Sequence, residues 1–337
     1  MRPYRDQALA LARSLGVPVA TTWGAIDLIN HDDPLAVGGF GTHGTRAANF
    51  AIQNADLLLG IGCRFDTKAT GTPSQFARAA EIVMVDIDLA EITKFERLGR
   101  KIDIGICADA GEFVHELAST MLPYEDNYSQ EEWVTHIAQW KQRYKPQGEV
   151  YDLMRRIGEQ TTSEDIIVSD TGNTLGWIMQ GFPFKGERFI HAFNFTPMGY
   201  GLGGAIGAAF AANGGRVICI IGDGGAMESL TELATIKRHN LNIKVILSNN
   251  MGHAMCRHTQ RQWLGGNYYA TSIEGGLGFP DFQEVSKAFG VEIEEHHIDP
   301  DASLATQARY GSPIEDMEPL LSREEMRREM IVEMVTQ

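Results

Sequence analysis

From Val217 to Ile221 the chain is continuously apolar and rich in β-branched residues, and the run stops on Gly222-Asp223-Gly224. A short apolar run that ends on glycine reads as a strand buried on both faces of a parallel sheet. Twenty-four intervening residues (24), holding a helical pattern over about 229–238 and a second apolar run at 244–248, separate Gly224 from Asn249-Asn250. Strand, helix and strand make a parallel crossover unit, and ligands of such sheets sit at the carboxyl ends of the strands. The two strand ends therefore constrain both the architecture and the place where chemistry is expected.

The same alternation organises the rest of the chain. Ala55-Asp56-Leu57-Leu58-Leu59-Gly60-Ile61-Gly62 and Ile82-Val83-Met84-Val85-Asp86-Ile87-Asp88 read as strands buried on both faces, with helical segments at 45–54 and 110–121 as crossovers. Residues 123–132 are polar and turn-rich, and a helical pattern at 133–144 ends at Pro146-Gln147-Gly148, which marks a boundary. Beyond it come a helix at 150–160, strands at 166–169 and around Phe189-Ile190-His191, and a Gly- and Ala-rich helix at about 201–212. The expected fold class is α/β with two doubly wound parallel-sheet domains, a Rossmann-like domain at 1–145 and a ligand-holding domain at 146–337. A chain of 337 residues is long enough for both to bury cores.

Composition removes several classes of function. A net charge of −15 argues against a nucleic-acid partner, which needs a basic face. Cys63, Cys107, Cys219 and Cys256 are scattered, mostly in apolar runs, and suit buried thiols in a reducing cytosol better than a disulfide framework. The N-terminus lacks the apolar core of a signal peptide, and no apolar run reaches the roughly 18 residues of a membrane span. A soluble cytoplasmic protein with no membrane partner is the expectation.

Holding a diphosphate through magnesium requires close backbone approach, a hard carboxylate oxygen, and neutral oxygens to complete an octahedron. Gly222, Gly224 and Gly225 allow the approach, Asp223 is the charged ligand, and Asn250 with the main-chain carbonyl of Gly252 are assigned as neutral ligands. A helix-capping aspartate and an Asn-Asn turn would explain either half alone, but not both at this spacing on consecutive strand ends. His253, Cys256 and His258 cluster nearby; without a second ligand cluster they read as substrate pocket or packing rather than a second metal site. Gly199-Tyr200-Gly201-Leu202-Gly203-Gly204 also satisfies the GxGxxG dinucleotide pattern, which would make the chain an NAD-dependent oxidoreductase. That fingerprint wants its first glycine directly after a strand, and Phe195-Thr196-Pro197-Met198 intervene.

The spacing resembles the thiamine diphosphate motif. From about Val17 onward nearly the whole chain is similar to the middle and C-terminal domains of the acetolactate synthase family, through Gly41-Thr42-His43-Gly44, Arg64-Phe65-Asp66, Asp86-Ile87-Asp88, Glu232-Leu233-Ala234-Thr235 and Pro313-Ile314-Glu315-Asp316-Met317. The resemblance implies that Met198 wedges the cofactor into a V shape and that the carbonyl of Thr196 accepts from its 4'-amino group, the two catalytic assignments. It places further diphosphate contacts at Gly172, Asn173 and Thr174, where this chain departs from the synthases' usual Gln-His, and puts His253 beside the cofactor. It also implies FAD, used structurally, along 43–64 and 85–92, although related enzymes keep the fold without the flavin.

By the same resemblance, the reaction is decarboxylation of a 2-oxo acid such as pyruvate and ligation of the two-carbon unit to a second carbonyl, with His253, Met255 and Arg257 near the acceptor. Family members carry a further pyrimidine-binding domain with an activating glutamate, which this chain does not show. The expectation is a split enzyme whose partner chain supplies that domain, within a homo- or hetero-oligomer. A fragment of a longer protein and a non-catalytic cofactor-binding or regulatory subunit are the alternatives.

Overall fold

A computed structural model describes residues 4–121 and 130–335. The polar stretch at 123–132 therefore lies mostly outside the described residues. The chain divides into two compact units, one running to Pro146 and taking up the segment from Ala305 onward, the other Gln147–Leu304. The boundary near residue 146 coincides with the Pro-Gln-Gly signal. The return of the C-terminal segment to the first unit differs from the expected span of 146–337.

Among its described residues the first unit carries two parallel sheets, of two and three strands, and a short antiparallel pair, Gln307–Ala308 with Met317–Glu318, in the returning segment. β1 (Val19–Thr21) pairs with β2 (Ala36–Gly39), and β3 (Leu57–Ile61), β4 (Glu81–Asp86) and β5 (Ile104–Cys107) stand in that order. The core gathers Phe40, Phe50, Phe65, Phe76, Phe95 and Trp140 around the helices Arg46–Asn54 and Glu131–Arg143. The first of these helices starts where the sequence implies, with the Thr45 side chain accepting from the Ala48 amide. The expectation of strands buried on both faces is corrected here: Leu57 and Leu59 are 55% and 43% exposed, as is Ile104 on the neighbouring edge. Leu59, Val83 and Ile104 share one register row, so one face of this sheet is only partly covered.

Polar pairing binds the returning segment. Buried Glu315 accepts from Gln53 and faces Arg78 at 2.8 Å; Asp316 meets Arg309 and Arg323; Glu329 accepts from the Trp140 indole at 2.8 Å. Buried carboxylates are tolerated only with such partners. That is why hydrophobic periodicity did not reveal this packing.

The second unit holds five parallel strands in the order β10-β9-β8-β6-β7, where β6 is Ile166–Ser169, β7 Arg188–Ile190, β8 Val217–Gly222, β9 Ile243–Asn249 and β10 Ile293–His297. β8 lies in the middle with Val217 to Ile221 all buried, each side chain contributing about 1.5–3 kcal/mol by leaving water. The Gly/Ala-rich helix Tyr200–Ala211 packs on β8 and β6, small residues letting it lie close to the sheet. From β6 the chain moves to β7 on one side and then crosses back to β8 on the other. The carboxyl ends of β6 and β8 therefore flank the topological switch point, where such sheets open a crevice.

All four cysteines are free, as expected, but only Cys219 is buried; Cys107 and Cys256 are exposed and Cys63 is intermediate. An apolar sequence context did not suffice for burial, because Cys107 lies on the edge strand β5 and Cys256 on the helix Ala254–Trp263. Among the described residues no helix is long and apolar enough to cross a membrane.

Candidate functional site

Four segments converge at the switch point. β8 runs straight into a short helix, Asp223–Met227, and β9 ends in Asn249-Asn250 beside it, with Gly222 paired to Ser248. β6 ends in Asp170 and Thr171, from which Gly172 opens the helix Asn173–Gly181. The fourth segment is the loop at 192–199, which carries Thr196 and Met198 into the helix Tyr200–Ala211. Helices Asn173–Gly181, Asp223–Met227 and Ala254–Trp263 all begin here, and no side chain caps any of the three. Their N-terminal amides and partial positive charge suit an anion.

Asp223 is 2% exposed; its Oδ1 accepts from the Gly224 amide at 2.7 Å and its Oδ2 from the Gly252 amide at 3.0 Å. Burial raises its carboxyl above the ordinary aspartate range, while those two amides and the field of His253 pull the other way. Turned with its nitrogen inward, the Asn250 amide donates to Asp223 Oδ2 at 3.3 Å and to the Gly252 carbonyl at 2.7 Å; turned over, its oxygen stands at the same point beside two acceptors. Neighbouring corners of an octahedral magnesium shell with bonds of 2.0–2.1 Å are about 3 Å apart. The Asn250 side-chain amide thus stands at the spacing of neighbouring ligands from both the carboxylate and the Gly252 carbonyl, and all three carry oxygens of the kind a hard cation takes. Asn249 is spent otherwise, accepting from the Met251 amide at 3.0 Å and donating to Glu295 at 2.7 Å.

A side chain at Gly224 would bring its Cβ within 2.5 Å of the His253 ring and 3.0 Å of the Met198 methyl. Gly224, His253 and Met198 therefore border one space, and Met198 keeps 38% of its surface exposed. Gly172 has φ +78° and nothing within 4 Å of its would-be Cβ, so the backbone there is both glycine-dependent and open. Thr174 Oγ1 lies 3.4 Å from the would-be Cβ of Gly222. Asn173 donates its amide to the Ala302 carbonyl at 3.1 Å, holding the helix start rather than pointing outward. Thr196 sits in left-handed backbone, φ +40°, at the end of the short turn Phe193–Phe195.

Arg257, expected near a substrate carboxylate, donates to the Pro300 carbonyl at 2.7 Å, pairs with Asp301 at 2.8 Å and stacks over Tyr268. Its guanidinium is already occupied within the fold. Among the described residues no group of three or more His, Cys, Asp or Glu could hold a metal, so His253, Cys256 and His258 form no centre of their own. The dinucleotide alternative fails on position: β7 ends at Ile190, Gly199 follows nine residues later, and Gly204 packs against Tyr200 and Val168.

One residue the sequence reading passed over is Asp170, 2% exposed, whose carboxylate accepts from Thr171, Gly199 and Gly201. An aspartate closing the apolar run of β6, two residues before Gly172, was the available signal.

Comparison with known proteins places both units in one family. Residues 170–312 match the thiamine pyrophosphate enzyme C-terminal TPP binding domain, and residues 3–117 match the thiamine pyrophosphate enzyme central domain. The acetolactate synthase large subunit of Porphyra purpurea is 31% identical over 308 residues, 88% of this chain and 51% of the relative. The acetolactate synthase isozyme 2 large subunit of Escherichia coli is 31% identical over 283 residues, 82% and 49% of the two chains. A probable acetolactate synthase large subunit of Methanocaldococcus jannaschii is 34% identical over 304 residues, 86% and 50%. The chain spans about half the length of these curated relatives. With both matches falling on the two units that carry the parallel sheets, and one of them enclosing the Asp223 site, the chain belongs to the acetolactate synthase-like branch of the thiamine pyrophosphate enzyme family.

Proposed function

We propose that this chain holds thiamine diphosphate through a magnesium ion on Asp223, Asn250 and the carbonyl of Gly252, and serves an acetolactate synthase-like reaction. The observation that supports the reading is the meeting of the buried Asp223 carboxylate, the Asn250 side-chain amide and the Gly252 backbone on two adjacent strand ends, the amide 3.3 Å from Asp223 Oδ2 and 2.7 Å from the Gly252 carbonyl. Gly222, Gly224 and Gly225 let the diphosphate approach the backbone, and Gly172, Asn173 and Thr174 line its other side from the end of β6. When bound, thiamine diphosphate supplies an electron-accepting carbon centre for decarboxylation of a 2-oxo acid such as pyruvate.

The chain's own part is binding and orientation. Met198, beside Gly224 and 38% exposed, would offer the apolar surface against which a bound cofactor rests, and the Thr196 carbonyl would be the acceptor for its amino group. His253 borders the same space. A partner chain supplies the pyrimidine-binding domain with its activating glutamate in an oligomer, and a second carbonyl compound accepts the two-carbon unit. The compartment of this reading is the cytoplasm.

The test is calorimetric titration of the chain with thiamine diphosphate, in magnesium and in EDTA, beside the Asp223→Ala variant. Magnesium-dependent binding that disappears in the variant is the expected result. Equal binding in EDTA, or unchanged binding by Asp223→Ala, overturns the assignment.

A further inference from the structure

We propose that Asp170 is a positioning residue: its buried carboxylate latches the loop carrying Thr196 and Met198 to the end of β6, and thereby sets where that loop faces the cofactor space. The proposal rests on the function read for that loop above. Asp170 Oδ1 accepts from the Thr171 amide at 2.9 Å and the Gly199 amide at 3.3 Å, and Oδ2 accepts from the Gly201 amide at 2.7 Å. Gly225, in the short helix Asp223–Met227 after β8, closes over the same carboxylate: a Cβ there would lie 2.5 Å from Asp170 Oδ1. One side chain thus touches three of the segments that build the site.

The loop needs such an anchor. Phe193 and Thr196 adopt φ +50° and +40°, a conformation uncommon for residues with side chains, and Gly199 has φ +85°. Strained backbone of this kind persists only where its surroundings hold it. An ionised aspartate is suited to the task because it is short and accepts with both oxygens while donating nothing. Burial raises its carboxyl, the three amides pull it back, and Glu228 adds a raising field. The latch is therefore made by amide dipoles in a dry setting, where hydrogen bonds to a charged group are worth more than neutral ones.

The test uses Asp170→Asn, which keeps the shape but turns one acceptor into a donor that faces an amide. Hydrogen exchange of the intact chain should show residues 193–201 exchanging about tenfold faster, the equivalent of about 1.4 kcal/mol, while β8 and β9 keep their protection. Affinity for thiamine diphosphate with magnesium should fall by a similar factor, and affinity for inorganic pyrophosphate with magnesium by less than about twofold, since pyrophosphate lacks the rings that Thr196 and Met198 would contact. Gly225→Ala, which presses on Oδ1 from the other side without removing it, should give the same exchange pattern and serves if Asp170→Asn fails to fold. Unchanged exchange at 193–201, uniform acceleration that includes β8 and β9, or parallel loss of both ligands overturns the latch. If the unaltered chain binds neither ligand, the cofactor reading fails by itself, and the exchange pattern still decides the role of Asp170.

Discussion

Two glycine-rich strand ends, one in each unit, have the same outward form and different fates. Gly41-Thr42-His43-Gly44 follows β2, and Gly222-Asp223-Gly224-Gly225 follows β8. In the first, the chain itself fills the approach that glycine permits. The Lys68 carbonyl lies 2.3 Å from the would-be Cβ of Gly41, Gly39 O is 2.6 Å from that of Gly44, the Thr42 amide donates to Lys68, and the Gly41 amide donates to Asn49. In the second, Asp170 fills the approach at Gly225, but Gly224 meets the movable ends of His253 and Met198, and Gly172 nearby meets nothing. Glycine at a strand end marks close approach, and only the surroundings say whether the visitor is the chain or a ligand.

The sharpest way to break the comparison is Asp223→Ala. Removing the charged ligand should weaken magnesium-dependent binding of thiamine diphosphate by more than about a hundredfold, in line with the 3–5 kcal/mol lost when one partner of a buried ion contact is removed. Calorimetry checks it, and a loss below tenfold would move the metal elsewhere.

Next in size are two alanine substitutions that should have opposite effects. Gly41→Ala must accommodate φ +114° and a backbone carbonyl at 2.3 Å, and should cost about 3 kcal/mol of stability or more in urea unfolding without touching cofactor affinity. Gly224→Ala stands in helical backbone against movable side-chain ends, and should change stability by less than about 1 kcal/mol while reducing binding at least tenfold. If both variants lose stability alone, the two strand ends are the same kind of structure after all.

Acidity gives a smaller, graded effect. Burial sets the folded Asp223 carboxyl above its unfolded value, so in the metal-free chain its contribution to stability is full below the ordinary aspartate pKa of 3.8 and is lost as pH rises through the raised value. Magnesium prefers the ionised form and reverses that sign. Affinity measured between pH 8 and pH 5 should hold steady and then fall by about tenfold per unit once protons compete for Asp223. A flat profile in Asp223→Asn at its own reduced affinity would tie the dependence to this residue.

Arg257→Ala should do least. Its guanidinium serves Pro300, Asp301 and Tyr268, a partly exposed set worth about 0.2–1 kcal/mol, so cofactor affinity should shift less than about threefold. A collapse in apparent affinity for the 2-oxo acid alone would return Arg257 to the role of carboxylate receptor.

Much of this was legible in the order of residues. The apolar runs at 166–169, 217–221 and 244–248 became β6, β8 and β9 within a residue or two, since a strand buried on both faces allows no polar interruption. That Asp223, Asn250 and Gly252 stand together at two strand ends followed from motif and spacing. What stayed illegible depended on contacts distant in sequence. Asp170 and Gly199 are 29 residues apart, and Glu315 and Gln53 are 262 apart.

Local pattern by itself determined that this chain builds parallel α/β layers, that Gly222-Asp223-Gly224 and Asn249-Asn250 end consecutive strands, and that a hard cation and a diphosphate suit those ends. Local pattern suffices there because side-chain periodicity and the close approach allowed by glycine are properties of a few neighbouring residues. Only the tertiary structure decided that β8 and β9 lie side by side so that Asp223, Asn250 and Gly252 meet, that Leu57 and Leu59 remain exposed, that Arg257 is already occupied, and that Asp170 accepts from the amides of Gly199 and Gly201. Each of these depends on which distant segment fills the space beside a residue, and that choice is made by packing the whole chain.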